Sequence, residues 1–364
     1  MQCTTRRWGR AAARAAGAPQ SALGTAGIGY HRQGKWPETG GVHPRLKIED
    51  IRAARQQLGD LIRTTPVHEL AGPAVEKAFG SGSRPFVKME LFQRTGSFKP
   101  RGALLNILAL SPQELQRGVC AISAGNHAIA TAYAARVVGT HAKIVMIASA
   151  NPFRVQKCRE WGAEIEFAED AHAGFRRVEE LQNTEARALI HPFEGPRTAL
   201  GTATLGLEFM EQVPDLDAVI VPIGGGGLCA GVSAAVKLVN ARCRVFGVEP
   251  VGADSMHRSF AAGRPESIER VATIADSLGA PYALPYSFAL CRDNVDGLVL
   301  VDDDGLRRAV RFLLEQAKIA VEPAGAAATA ALLGPLRDRL LGRRVGLIAC
   351  GANIDVAGFA QLIS

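Results

Sequence analysis

Short apolar runs, many of them β-branched, alternate with helix-spaced stretches along most of this chain. Val119-Cys-Ala-Ile122 precedes helical spacing over 126–138. Lys143-Ile-Val-Met-Ile147 precedes a helix that opens at Pro152 and runs to about 161. Glu164-Ile-Glu-Phe167 is followed by a helix after Asp170, then by another over 197–210. Asp217-Ala-Val-Ile-Val-Pro-Ile223 reads as a buried strand, and 245–248, 297–301 and 345–349 complete the set. Ahead of these lie helical spacing over 46–55, an extended segment at 65–67 and a strand over 86–91. Strands separated by helices cannot pair as hairpins, so the chain is expected to form parallel sheets covered by helices, the α/β class. With 364 residues, two lobes are expected, each an open, mostly parallel twisted sheet flanked by helices. Residues 250–296 are rich in Pro, Ser, Gly and Arg with weak periodicity, and read as an excursion over the surface.

The formal charge of +7 excludes less than it suggests, because of where it sits. Residues 1–45 carry Arg6, Arg7, Arg10, Arg14, Arg32, Lys35 and Arg45 against Glu38 alone, so the remainder is close to neutral. A nucleic-acid footprint is therefore not expected. The first 45 residues read as a basic tail outside the fold; a targeting peptide or an upstream start site would have the same composition. Seven cysteines, an odd number without a C-x-x-C pair, argue against a disulfide framework and a zinc site, and for the cytoplasm. No apolar run reaches membrane-spanning length.

One lysine stands apart. In Thr95-Gly96-Ser97-Phe98-Lys99-Pro100-Arg101-Gly102-Ala103, Gly96 allows a tight turn, Ser97 can cap a helix and Pro100 suits its first turn. Lys99 then lies at a helix start beside an apolar ring, where dipole and neighbours both disfavour an ammonium. A lysine so placed is a candidate nucleophile towards a carbonyl. Most lysines are merely solvated, so the rest of the chain has to support that role.

Ligands of open parallel sheets bind at the carboxyl ends of the strands, and three such junctions carry unusual residues. Ser123-Ala124-Gly125-Asn126-His127 opens a helix and leaves backbone N–H groups for a carboxylate or phosphate, or is an ordinary helix cap. Gly224-Gly225-Gly226-Gly227-Leu228 follows a buried strand, and four glycines there suit a backbone that wraps an anion. Cys350, in Ala349-Cys350-Gly351-Ala352-Asn353, is either a neutral thiol facing the same cleft or a small core residue. The glycine run also fits G-x-G-x-x-A over 225–230, with Glu249 ending the next strand about 24 residues on. That is the dinucleotide fingerprint, and an NAD-dependent oxidoreductase is the rival reading. It leaves Lys99 and the 123–127 loop without roles.

Ser-Phe-Lys-Pro-Arg-Gly, Ser-Ala-Gly-Asn-His-Ala, Gly-Gly-Gly-Gly-Leu and Cys-Gly-Ala-Asn, in that order, resemble the serine/threonine dehydratases. These are pyridoxal-phosphate enzymes built like the tryptophan synthase β subunit. The resemblance spans roughly 46–364. It implies a cofactor-binding domain of 46–115 and 199–364, a substrate-loop domain of 116–198, and a homodimer. It implies that Lys99 holds pyridoxal 5'-phosphate as a Schiff base and takes the Cα proton, that Phe98 lies against the ring, and that Asn126 bonds the ring hydroxyl oxygen. Backbone N–H groups of Gly224, Gly225, Gly226, Gly227 and Leu228 would hold the phosphate. Cys350 would partner the pyridine nitrogen, Glu322 would stand near the cofactor, and Ser123, Ala124, Gly125, Asn126 and His127 would seat the substrate carboxylate. The implied reaction is β-elimination of a hydroxy amino acid, L-threonine or L-serine first, to a 2-oxo acid and ammonia. Hydroxyaspartate and diamino-acid lyases and racemases are related alternatives. Ala124 replaces the serine that racemases use as a second acid/base. A segment resembling the racemases' divalent-ion site offers Glu249 and the Ala253 carbonyl, but Ser255 replaces a carboxylate, which leaves at most a weak cation site. Ile274-Ala-Asp-Ser277-Leu departs from the dehydratases' Ala-Asp-Gly, which points to an unusual substrate.

Overall fold

A computed structural model describes residues 45–364. The reading of the first 45 residues as a tail falls, but for Arg45, outside them. Among the described residues ten strands form two sheets. The first two, β1 (Val67–Glu69) and β2 (Arg84–Lys88), pair antiparallel. Four more, β3 (Val119–Ile122), β4 (Ala142–Ile147), β5 (Glu164–Ala168) and the two-residue β6 (Ala188–Leu189), make an all-parallel sheet in the order β5-β4-β3-β6. The chain then returns with β7 (Ala218–Pro222), β8 (Arg244–Pro250), β9 (Gly297–Val301) and β10 (Arg344–Ile348). These extend the first pair into a six-stranded sheet, β1-β2-β10-β7-β8-β9, parallel except at β1. Central strands read as continuous apolar runs because both faces are covered, and β7 is buried at every position.

Most sequence-predicted strands lie within about two residues of their observed ends. The strand expected over 86–91 stops at Lys88, and Glu90–Phe92 is a 3-10 turn. The segment 250–296 is more ordered than its composition suggests. It holds the helices Ser255–Ala262 and Pro285–Asn294, each opened by a buried carboxylate from elsewhere in the chain. Glu249 accepts the N–H groups of Met256 (2.9 Å) and His257 (2.7 Å), and Glu194 those of Tyr286 (2.6 Å) and Ser287 (3.1 Å). Glu194 caps its helix from 92 positions away, and such a cap leaves no local signature.

Helices Pro196–Gln212 and Gly227–Val239 pack closely, and the helix Pro100–Leu108 lies against the first of them. Small residues permit the approach: a Cβ at Gly231 would run into the Ala199 carbonyl and the Thr202 hydroxyl. The free cysteines among the described residues are all buried, and no described helix is long and apolar enough to cross a membrane. Overpacking a tight helix pair costs about 1–3 kcal/mol. Gly231→Ala is therefore expected to lower the unfolding free energy by that amount, read as a lower urea midpoint at unchanged slope, and an unchanged midpoint would refute the contact.

Candidate active site

Lys99 is carried into a cleft by a segment that runs beside the end of β10. Leu91 N–H donates to Ala349 O (3.0 Å), Ala352 N–H to Gly96 O (2.9 Å) and Phe98 N–H to Cys350 O (3.1 Å), while Ser97 bridges Gly351. Gly96 adopts φ +73°, and a Cβ there would come within 2.7 Å of Asn353 Oδ1, so only glycine suits. The helix Pro100–Leu108 begins immediately after Lys99. The expectation that Ser97 caps this helix is corrected. Lys99 occupies the cap position, and the buried Ser97 hydroxyl has no partner among the described residues. The Lys99 ammonium donates to the Pro192 carbonyl (2.6 Å) and sits 5.1 Å from the Phe98 ring centre. Burial lowers its pKa to about 8, against the opposing pull of Cys350 and Glu322.

Opposite lies the glycine run. Gly226 (φ +96°) is the cap residue of the helix Gly227–Val239 and offers no side chain, so the first N–H groups of that helix have no intrahelical or capping partner. The run also answers to its own chain. A Cβ at Gly225 would enter the Phe193 ring, one at Gly227 would meet the Phe193 carbonyl, and one at Gly224 would lie 3.2 Å from Leu278 Cα. Leu228 and Cys350 complete this side of the cleft. Cys350 Sγ–H donates to Ala324 O (3.3 Å), and burial raises the thiol well above its usual range, so it stays neutral.

Asn126 and Glu322 line the cleft and bond one another. Asn126 Nδ2 donates to Glu322 Oε1 (2.5 Å) and to Ser277 Oγ (3.3 Å), and its Oδ1 accepts from Asn353 Nδ2 (2.6 Å). Glu322 is fully buried, and burial raises its pKa although Arg154 opposes the shift. Arg154, from the helix Pro152–Glu160, reaches across with Nε to Asn353 O (2.9 Å), Nη2 to Glu322 Oε2 (3.4 Å), and Nη1 and Nη2 to Asp276 (2.5 and 3.2 Å). Arg154, Asn353 and Phe193 were given no role from the sequence. Asn353 lies within the Cys-Gly-Ala-Asn motif, but no local spacing marks Arg154 or Phe193, whose partners lie far away in the chain. Ser277 did carry a signal, as the residue that breaks the Ala-Asp-Gly pattern.

The predicted loop divides. The helix Asn126–Val138 opens without a side-chain cap, so its first N–H groups remain available. Ser123 Oγ accepts the Gly125 N–H (3.2 Å), and the backbone at Gly125 lies beside Arg154 and Ser277. Ala124 is a half-buried loop residue. The His127 ring turns away to donate from Nε2 to Ile190 O (2.7 Å), and burial, then Lys99, hold its pKa near 3. Glu249 and Ala253 are not among the residues lining the cleft. With both Glu249 oxygens capping a helix, no free acid remains at the end of β8 to bind a ribose, as the dinucleotide reading requires. Among the described residues no group of three or more His, Cys, Asp or Glu could hold a metal ion.

Comparison with known proteins agrees with this geometry. Residues 58–351 match the family model described as pyridoxal-phosphate dependent enzyme. A phenylserine dehydratase of Ralstonia pickettii is 52% identical over 314 residues, 86% of this chain and 95% of that protein. An L-threonine ammonia-lyase of Thermotoga maritima is 38% identical over 88% of this chain and 78% of its own length. Among solved structures, maize serine racemase superposes with a TM-score of 0.82 at 34% identity, covering 87% of this chain and 97% of its own. The processed form of threonine deaminase isoform 2 from Solanum lycopersicum gives 0.80 at 30% identity, covering 87% and 94%.

Two outcomes follow from the electrostatics. In cofactor-free protein, reductive alkylation of Lys99 is expected to rise with pH about a midpoint near 8, since the reactive free amine appears only above its pKa. A midpoint near the ordinary lysine value would overturn the buried setting. Arg154→Ala leaves Glu322 buried without its cation and is expected to cost about 3–5 kcal/mol. Asp276 is 59% exposed at its side chain, and Asp276→Ala is expected to cost under about 1 kcal/mol. Denaturant midpoints in the reverse order would refute the assignment.

Proposed function

The chain belongs to the pyridoxal-phosphate-dependent enzyme family, among the lyases that eliminate the β-hydroxyl of an amino acid, and from that premise we propose a substrate and a division of labour. The cofactor fits the residues present. An amine with lowered proton affinity, an uncapped helix start at a glycine run and a neutral thiol face one cleft. Lys99 would hold it through Nζ. Backbone N–H groups of 224–228 would hold its phosphate, and Cys350, Phe98 and Asn126 would surround the ring. When bound, it supplies a sink for the electron pair left at Cα.

The chain's own residues do the rest. N–H groups of the 123–127 loop, at the start of the helix Asn126–Val138, receive the substrate carboxylate. Lys99, freed when the substrate amine takes its place, takes the Cα proton as general base. The β-hydroxyl leaves as water after taking up a proton, and water then hydrolyses the released enamine, as its imine, to a 2-oxo acid and ammonia. Ala124 has no proton to give, so the opposite face of Cα lacks a donor there and elimination outruns racemisation. The cofactor lobe (46–115 and 199–364) and the substrate-loop lobe (116–198) belong to this reading, supported by the separate sheet that each contains.

The substrate is a 3-hydroxy-2-amino acid with an aromatic β-substituent, of the phenylserine kind. The observation that carries this is the 52% identity, over nearly its whole length, to a phenylserine dehydratase. Aromatic borders agree: Phe98 and Phe193 line the cleft, with His191 edge-on to Phe193 (4.7 Å) and Tyr282 tilted against it (5.9 Å). L-Threonine is the second reading, supported by the 38% relative.

Release of 2-oxo acid is to be measured from phenylserine, threonine, serine, 3-hydroxyaspartate and 2,3-diaminopropionate. A kcat/KM at least about tenfold higher for phenylserine is expected, the scale of an apolar pocket's discrimination. A preference for threonine would sink the aromatic assignment. Borohydride trapping followed by peptide mapping is expected to find the pyridoxyl group on Lys99, and its recovery on another residue would sink the role given to that lysine.

A further inference from the structure

At the end of the large sheet opposite the cleft, the amino ends of β7, β8 and β10 border a groove of about 440 Å³, a size typical of small-molecule sites. Its charged lining is Arg242, Arg244, Arg339 and Arg343, with Asp215 and Asp217. Asp217 is already engaged. It accepts the Arg344 N–H (2.8 Å) and lies 3.7 Å from Arg343 Nη1. Arg244 and Arg339 both lie on the Phe246 ring, 4.7 and 4.9 Å from its centre, and neither has a carboxylate partner among the described residues. Arg242 has none either. Contact with one ring holds two guanidiniums close together, and guanidiniums without a carboxylate partner suit recognition of oxyanions. With Asp217 matched to Arg343, Asp215 sets one carboxylate against these three cations, so the groove keeps a net positive charge that an added anion would balance.

We propose that this groove is a binding site for a condensed phosphate chain, free or carried by a nucleotide. A chain of linked phosphates presents several oxyanions at short spacing, which matches several guanidiniums better than one isolated charge does. The site is separate from the cleft and uses none of its residues.

Isothermal titration of the holoenzyme, without excess cofactor, with sodium tripolyphosphate at low ionic strength is expected to show saturable binding of one anion per chain. ATP without metal is expected to bind if the nucleotide form is accepted, and to stay silent if the groove takes only the free chain. Arg242→Glu with Arg339→Glu is expected to weaken binding by at least about tenfold. The milder Arg242→Gln, at an exposed position without an ion pair, should weaken it less, and turnover should be unchanged in both. Absence of saturable heat, undiminished binding in the double variant, or equal affinity for citrate would each overturn the proposal.

Discussion

Two residues beyond Lys99, the Arg101 guanidinium is closed off from water and gripped by two carboxylates. It meets Glu90 as a fork, through Nε and Nη2 at 2.8 Å each, and reaches Glu208 at 3.1 Å. Lys88 closes the cluster against the other oxygen of Glu208 (2.5 Å), and Thr65 adds a hydroxyl to Glu90. Two cations and two anions, nearly all without solvent contact, balance one another. Such a cluster adds little net stability over an apolar core, because desolvation offsets most of the attraction. Its geometry is exacting, however, since removing any member leaves a buried charge alone. Glu90 follows β2, Glu208 lies on the helix Pro196–Gln212, and Arg101 sits in the first turn after Lys99. The cluster therefore ties the start of the lysine-bearing helix to the sheet and to the helix packed behind it.

The sequence was most legible where function and fold use consecutive residues. Strand, glycine run and apolar helix are contiguous at 217–239, and the structure orders them as the pattern implies. The same holds for 119–138. What the pattern could not carry is pairing at a distance. Asn126 meets Glu322 across 196 positions, Arg154 meets Glu322 across 168, and Asn353 meets Asn126 across 227. Each of these residues, read alone, is an ordinary polar residue near a loop or helix end. The cap expected of Ser97 failed for a related reason. Its neighbours fold back onto Gly351, and that long-range bridge overrides the local capping preference.

The glycine run is also held by a packing constraint that its sequence does not show. Read from the sequence, the absence of side chains was a demand made by an anion. In the fold, Phe193 and Leu278 crowd the same positions, so a side chain would be refused whether or not a phosphate is bound. The loop carrying Pro192 and Phe193 packs on the glycines, and through the Pro192 carbonyl it also holds the Lys99 ammonium. One short segment thus positions both the Lys99 amine and the glycine run.

The cleft's electrostatics then follow from burial more than from paired charges. His127 and His191 are both held near pKa 3, first by burial and then by the Lys99 charge, so neither takes a proton near neutrality. Burial keeps the Cys350 thiol neutral and raises Glu322 while Arg154 and Asn126 resist. Against these groups Lys99, near 8, exchanges its proton not far from neutrality. A chain that buried only the lysine would gain reactivity and lose selectivity for the proton, because a nearby imidazole could compete for it. By burying the histidines as well, this chain leaves the amine with few rivals.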